Sequence, residues 1–508
     1  MKQVKDVFGV KPIYIFLVIA LIFGLLINFR IDVLDWDALA YVMNGQAFRG
    51  ESTYYEWHRP FLLPFLIFLF GGTELVARLI SVSLFLLAIY AVYLLAKELF
   101  DEETALYSSI VFTIIPLVQY WAVRVYTSVP MIALGALGFY FLVKHDKTND
   151  NRFLYLFFIF SALTYLMRYV GLMFLFVGLI YLVIAKKISF KIKKEYVFHL
   201  VLGLLVFSAI ITPWLLFNYI NTGDPFYSPS IAKAQMDRIP KGSLMYYFQT
   251  WNETFTYPLT LFVLISFYFF FKKWNFKKLK SIFKTIHKER HYLLAFGIFL
   301  SFFIYFEFML NLKSTRYLIP CMFGWALLSG DGIRVTREKL SKSFKMKKIK
   351  SNQIYATLVV LLLLVFVGSS YYHWTNIRKC QGVRELGDFL SELEGNAVSP
   401  IWPHFNYFSN MDVKWVPEHY ETLLEETQTL NIKYLIFFTR PIEPDWAYVE
   451  FIDEKEEDWD KIKVMQTCLG EAHIYEYKHE TSGYIEQEVT DIISERNFIP
   501  LKPLFLFS

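Results

Sequence analysis

The sequence predicts an α-helical, polytopic membrane protein carrying a small C-terminal α/β domain outside the bilayer. Three observations predict it. Hydrophobic residues fill 55% of the 508 positions and charged residues only 19%, a poor match to a soluble chain of this size. The apolar residues gather into long runs, recurring from residue 13 to residue 366 and stopping after 370, and a membrane helix needs about 20 such residues. The charges are segregated: residues 371–508 hold 25 Asp and Glu against 12 Lys and Arg, a net of −13, which leaves +18 on the rest of a chain that totals +5.

Residues 1–11 are short and weakly basic, and the apolar run 12–28 lacks a small-residue cleavage site. It therefore reads as a first membrane helix with its N-terminus inside rather than as a cleaved signal. Further spans are expected at 75–98, 104–121, 126–144, 153–168, 170–185, 197–219, 254–271, 292–311, 316–331 and 353–370, about eleven in all with 12–29. The run 61–70 is too short to cross and holds Pro60 and Pro64 at its start. An extra crossing there would invert every later loop, so it is expected as an interfacial or re-entrant helix on the outer side.

Much of the positive charge lies in linkers 186–194, 272–290 and 334–350. Short basic loops stay on the cytoplasmic side. An odd number of spans then sends the C-terminus outside, and the two signals agree. The module 1–370 is thus followed by an extracytoplasmic domain 371–508. Helical stretches at 383–393 and 420–430 alternate there with apolar strands at 434–438 and 473–477, a pattern of a small α/β unit. The charged patch 453–460 reads as a solvated loop. Cys321 falls in an apolar run; Cys380 and Cys468 fall in the tail, where spacing alone does not decide whether they pair.

The first outer loop carries the most chemistry: Asp35-Trp36-Asp37-Ala38-Leu39-Ala40-Tyr41, then Tyr54-Tyr55-Glu56-Trp57-His58-Arg59-Pro60. Carboxylates at a membrane edge are costly to desolvate and tend to mark a pathway or an active site; the alternative is a helix cap at the interface. The topology also collects Arg124, Tyr126, Ser128, Arg168, Tyr169, Asn218, Lys313, Arg316 and Tyr317 on the outer side. Cations gathered at one face suit a phosphate-bearing lipid, although single Arg and Lys residues also snorkel to ordinary headgroups.

These residues resemble the GT-C superfamily of membrane glycosyltransferases, in particular the protein-mannosyltransferase-like and aminoarabinose-transferase-like branch (glycosyltransferase family 39). Asp37 with Tyr41 resembles its first-loop acidic motif, and His58-Arg59-Pro60 with Leu63-Pro64 its basic-Pro motif. Pro213-Trp214, Asn218-Tyr219 and Gly223-Asp224-Pro225-Phe226 resemble its Pro-Trp…Arg-Asn-Tyr…Gly-Asp-Pro-Phe stretch, and Arg316-Tyr317-Leu318-Ile319-Pro320 its Arg-Tyr-Leu-Leu-Pro stretch. The likeness spans roughly residues 10–370. The family's Asp-Glu pair reads Asp37-Ala38 here, its Arg before the Asn reads Phe217, and the Asp before Pro130 is missing. The Trp-Trp-Asp motif of oligosaccharyltransferases is absent.

The resemblance implies a sugar transferase with a polyprenyl-phosphate-linked donor and a protein, lipid or glycan hydroxyl as acceptor, working with inversion on the outer face. It assigns Asp37, then Asp35, as general base. Arg59, Arg168, Lys313 and Arg316 are expected to bind the donor phosphate, and His58, Tyr41, Glu56, Arg124, Asn218 and Tyr317 to contact substrate. No residue is assigned to a metal and no cofactor is certain; a divalent metal stays open, and the missing Asp before Pro130 weakens the case for it. Membrane lipids are the other expected partner, and nucleic acid is not one. The rival reading is a transporter or flippase of a lipid-linked glycan, which calls for ionisable residues within the spans; Glu307 is the main one. A non-catalytic receptor gives no reason for the acidic loop.

Overall fold

In the computed structural model, the described residues are 11–478 except 53, 186–193, 238–241, 244, 273–288, 312, 344–347, 378–380, 410, 418, 440–448, 456 and 469. The chain divides into two compact units, Met1–Asn28 with Trp57–Leu66 and Leu75–Thr375, and Phe29–Glu56 with Ile67–Glu74 and Asn376–Ser508. In chain order the helices are α1 Pro12–Arg30, α2 Trp36–Phe48, α3 Leu62–Leu69, α4 Glu74–Leu99, α5 Glu102–Ile114, α6 Pro116–Ala122, α7 Ser128–Thr148, α8 Asn151–Met167 and α9 Leu172–Ala185. They continue as α10 Lys194–Thr222, α11 Tyr227–Asp237, α12 Tyr246–Gln249, α13 Trp251–Phe255, α14 Tyr257–Phe271, α15 Arg290–Ile304, α16 Ile319–Ser343 and α17 Lys348–Asn376.

The first unit is a helical bundle. Among the described residues, α1, α4, α7, α10, Arg290–Met309 and Gln353–Asn376 are long and apolar enough to cross a membrane, and α8, Tyr169–Ala185 and α14 are shorter apolar helices. The expected spans fall mostly on helix, although α16, over most of 316–331, is not among the helices long and apolar enough to cross. The chain is a multi-pass membrane protein of mostly helical fold, as the composition required. One expected span is corrected: residues 104–121 are not one straight helix but α5 and α6, bent by 72°. Pro116 has no N–H to continue the helix and forces Ile115 into an extended conformation, φ −63° and ψ 119°. The expected outer helix 61–70 appears as α3, with Leu63 fully buried. The basic linkers at 186–194 and 272–290 lie largely outside the described residues, whereas much of 334–350 is helical, residues 334–343 ending α16 and 348–350 starting α17.

Packing in the bundle relies on small residues and aromatics. A Cβ built on Gly332 of α16 would stand 1.9 Å from the carbonyl oxygen of Phe262 in α14, so the two backbones touch there; close approach through small residues is the usual way membrane helices gain contact. Several buried charged groups are paired. Arg78 is 5% exposed and donates to the Asn28 carbonyl oxygen at 2.6 Å, and Asn28 donates to the Val123 carbonyl. Elsewhere in the bundle, Arg290 Nε donates to Asp146 at 2.7 Å and Arg337 to Glu103 at 2.6 Å. Buried ions need such partners.

The second unit holds a five-stranded sheet with strands β1 Asn396–Val398, β2 Val413–Lys414, β3 Ile432–Phe438, β4 Trp459–Thr467 and β5 Gly470–Tyr477, in the order β2-β1-β3-β5-β4. β1 runs parallel to β2 and β3; β5 is antiparallel to β3 and β4. Its remaining helices are α18 Gln381–Leu390, α19 Trp402–Phe408, α20 Tyr420–Thr429 and α21 Val449–Asp453. The pleat of β3 splits the core: Tyr434, Ile436 and Phe438 join α18 and α19 on one face, while Leu435 and Phe437 join α20 and α21 on the other. The α/β reading of the tail holds. The patch 453–460 is not a plain loop, because α21 runs to Asp453 and Trp459, 2% exposed, starts β4. β4 is one of the two edge strands and carries exposed Asp460, Lys461 and Lys463, which blunt that edge. Cys468 is disulfide-bonded and Cys321 is buried and free; Cys380 lies outside the described residues.

Candidate active site

The acidic loop belongs to the second unit. Asp35 is the residue before α2, extended at φ −61° and ψ 158°, and its side chain makes no cap hydrogen bond. Asp37 sits in the first turn of α2, half-buried, and Asp35 is exposed. The cap reading of Asp35 therefore does not account for it. Tyr41 is buried one turn further on. Glu56, 7% exposed, accepts from Trp36 Nε1 at 3.2 Å and from the Tyr54 hydroxyl. Its backbone is fixed to α2 by Asn44, whose Oδ1 accepts from Glu56 N at 2.8 Å and whose Nδ2 donates to Glu56 O at 3.0 Å. Glu56 and Asn44 thus hold residues 54–56 against the helix that carries the two aspartates.

The cations belong to the first unit, at three helix junctions distant in sequence. Arg168 ends α8 in an extended conformation, φ −162° and ψ 129°. Arg316 and Tyr317 lie in the 3₁₀ turn Thr315–Leu318 before α16. Trp121 and Tyr126 flank the turn between α6 and α7. The Arg168 guanidinium lies 5.6 Å from the Tyr126 ring and 5.5 Å from the Tyr317 ring. The Arg316 guanidinium lies 5.7 Å and 5.4 Å from the same two rings, and 5.9 Å from Trp121. The two Cζ atoms are therefore no more than about 11 Å apart. Arg168 also donates to Ser128 Oγ. Two guanidiniums bracketed by shared aromatic rings are held in place by cation–π attraction, and their mutual repulsion is relieved by an anion.

Other predicted residues of the first unit have their own partners. The Tyr169 hydroxyl donates to the Arg59 carbonyl at 3.2 Å, tying the basic-Pro segment to the Arg168 junction. Arg124 lies 3.6 Å from the Tyr120 ring and 6.0 Å from Trp121. Lys313 Nζ donates to the carbonyls of Phe306, at 2.7 Å, and Glu307, at the C-terminal end of α15 and its π-turn Tyr305–Met309. It therefore works as a cap on carbonyls first. Phe306, whose carbonyl Lys313 caps, stacks on Tyr317 of the bracket at 5.9 Å. Glu307 is buried and accepts from the backbone N–H groups of Met245 and, at 3.2 Å, Tyr247. It fixes a loop in which Met245 has a φ of +72°. Asn218 is fully buried and holds the Gly-Asp-Pro-Phe turn: it donates to the Pro225 carbonyl at 3.2 Å and accepts from Ser228 Oγ at 2.8 Å. Gly223, at φ +77°, makes that turn. Gln235 of α11 donates to His58 Nδ1 at 3.2 Å.

A family described as dolichyl-phosphate-mannose-protein mannosyltransferase matches residues 58–216. Among solved structures, ArnT from Cupriavidus metallidurans bound to undecaprenyl phosphate superposes with a TM-score of 0.62 at 12% identity, over 93% of this chain and 99% of that one. The likeness is one of fold. The archaeal oligosaccharyltransferase AglB from Archaeoglobus fulgidus, in complex with an inhibitory peptide and a dolichol-phosphate, shares it with a TM-score of 0.57 at 11% identity, over 93% of this chain and 75% of that one. The mycobacterial arabinofuranosyltransferase AftD shares it with a TM-score of 0.53 at 12% identity, over 92% of this chain and 42% of that one. No curated protein matches the chain.

The GT-C resemblance read from the motifs is borne out. Within the fold, Arg168, Arg316 and Tyr317 come together, while the polar atoms of Asn218 and Glu56 hydrogen-bond to the chain around them. Trp121, Tyr247 and Trp402 escaped the sequence reading. A lone aromatic near a helix end carries no signal, and their roles arise from pairing with residues far away in the chain. Among the described residues no group of three or more His, Cys, Asp or Glu side chains is placed to hold a metal ion.

Proposed function

We propose that this chain is a membrane glycosyltransferase that moves a sugar from a polyprenyl-phosphate-linked donor to a hydroxyl of a protein, lipid or glycan at the outer membrane face. The observation that carries the reading is the pair Arg168 and Arg316 on their shared rings, inside a fold whose solved examples include one bound to undecaprenyl phosphate and one bound to a dolichol-phosphate. Arg168 and Arg316 bind the donor phosphate, with Arg59 and Lys313 adding positive charge. Both guanidiniums offer forked donors that suit phosphate oxygens.

In the reaction the acceptor oxygen forms a bond to the anomeric carbon as the bond from that carbon to the phosphate oxygen breaks. The acceptor proton passes to the Asp37 carboxylate, and the polyprenyl phosphate leaves with the bonding electron pair. Attack from the face opposite the leaving group inverts the configuration. General-base help of this kind gives about 10²–10⁴-fold, and donors aimed at the leaving phosphate stabilise the charge it gains. Asp35 adds negative charge beside Asp37 and orients the acceptor. His58, Tyr41 and Arg124 line the approach of substrate.

Residues 1–370 form the transferase module and 371–508 its extracytoplasmic domain, with the N-terminus and the basic linkers in the cytoplasm. The test is transfer of label from a labelled polyprenyl-phosphate sugar by purified protein in detergent, dependent on added acceptor. No turnover with any donor of that class sinks the reading. Cysteine labelling of intact cells is expected to modify sites in 371–478 and to miss sites in 272–290; the reverse pattern would place the acidic loop on the wrong face.

A further inference from the structure

We infer that the C-terminal domain sets the position of the aspartate pair through an aromatic clamp on Trp36, with Trp402 of α19 as the positioning residue. The inference rests on the reading of Asp37 as general base. Trp36 stands between Asp35 and Asp37 in sequence, so fixing its indole fixes the first turn of α2. Its Nε1 donates to Glu56 at 3.2 Å. Its ring meets Trp402 edge-on at 5.9 Å and 87°, and Trp415 at 5.5 Å. Tyr54, which also donates to Glu56, packs on Trp402 at 4.8 Å.

Two residues further along α19, His404 Nε2 donates to the Leu34 carbonyl at 3.2 Å, holding the chain at the entry to α2. Trp402 is itself seated on the sheet core beside Ile401 and Phe405. The clamp therefore runs from a rigid α/β core, through α19, to the backbone on both sides of Asp35. A catalytic carboxylate near a helix start has few local constraints, and a misplacement of about 1 Å costs on the order of 10²-fold in rate. A tail domain that grips this turn supplies the missing constraint.

The two indole N–H groups predict opposite outcomes. Trp402 Nε1 makes no hydrogen bond among the described residues, so Trp402 acts through its ring. Trp36 Nε1 is bonded to Glu56, so the N–H is part of the clamp.

The experiment measures single-turnover transfer from a labelled polyprenyl-phosphate sugar at saturating donor by the purified full chain, beside binding of polyprenyl phosphate and the unfolding temperature. Trp402→Ala is expected to lower the transfer rate about 10- to 100-fold while donor affinity stays within about threefold. Trp402→Phe is expected to recover most of the rate. Trp36→Phe, which keeps a ring and loses the N–H, is expected to stay low. Asp37→Asn runs in parallel. If it is inactive while Trp402→Ala and Trp36→Phe transfer at the wild-type rate, the clamp is overturned and the base assignment stands. If Asp37→Asn transfers at full rate, both fall, since there is then no base to position. If Trp402→Ala does not fold, the pair Trp402→Phe and Trp36→Phe decides, and equal rates in the two overturn the clamp.

Discussion

Replacing Arg316 separates recognition of the donor phosphate from everything else in the proposed site. Its guanidinium lies 5.4 Å from the Tyr317 ring, 5.7 Å from Tyr126 and 5.9 Å from Trp121. Those rings place the side chain, at about 0.5–2 kcal/mol for a cation over an aromatic face. They do not use its in-plane N–H donors in the way a phosphate would. A hydrogen bond to a charged group contributes about 1.5–3 kcal/mol. Arg316→Lys keeps the charge and loses one arm of the fork, so the expected loss in kcat/KM for donor is about 10- to 150-fold. Arg316→Ala loses both arms and the charge, about 3–6 kcal/mol, or 10²- to 10⁴-fold. The assay is transfer at donor concentrations below saturation, with direct binding of polyprenyl phosphate to each variant. The order wild type, Lys, Ala in both measurements supports the assignment. Equal rates and affinities in all three would refute it and leave the guanidinium to packing or to bulk headgroups.

Asp37→Asn keeps the size of the side chain and cannot take the proton, so transfer is expected to fall about 10²- to 10⁴-fold with donor binding retained; Asp35→Asn is expected to fall less, and the reverse order moves the base by two residues. Gly332→Ala drives a methyl to 1.9 Å from the Phe262 carbonyl oxygen, so α14 and α16 must separate. A loss of about 2–4 kcal/mol is expected, read as a lower unfolding temperature; a stable variant would show that the helices are not that close. Burial holds the His404 imidazole neutral, its pKa lowered to about 4. The unfolded state, near 6.5, therefore binds more protons between those values. Stability is expected to fall as pH drops from about 6.5 towards 4, by up to about 3 kcal/mol, and no further below. His404→Gln keeps a donor for the Leu34 carbonyl and removes the titration, so its unfolding temperature is expected to lose that part of the acid sensitivity; an unchanged pH slope refutes the assignment.

The membrane class, the approximate positions of most of the apolar helices and the α/β nature of the tail were determined by the sequence alone, because apolar run length and strand–helix alternation are local properties read along the chain. The order of the short motifs also pointed to the GT-C fold. What local pattern missed was where neighbours overrule it. Pro116 broke an apolar run into two helices at 72°, and the burial of Trp459 drew a charged patch into a strand. The partition of the polar residues was decided only by the tertiary structure. Asn218 looked like a substrate contact and closes a turn; Glu56 looked like a ligand and holds Trp36. Arg168 and Arg316, 148 positions apart in the sequence, share two tyrosine rings that no spacing rule connects. The physical reason is range. Hydropathy acts within a helix length, whereas the worth of a polar side chain depends on which group desolvates it or accepts its proton, and that partner is chosen by the packing of segments hundreds of residues apart.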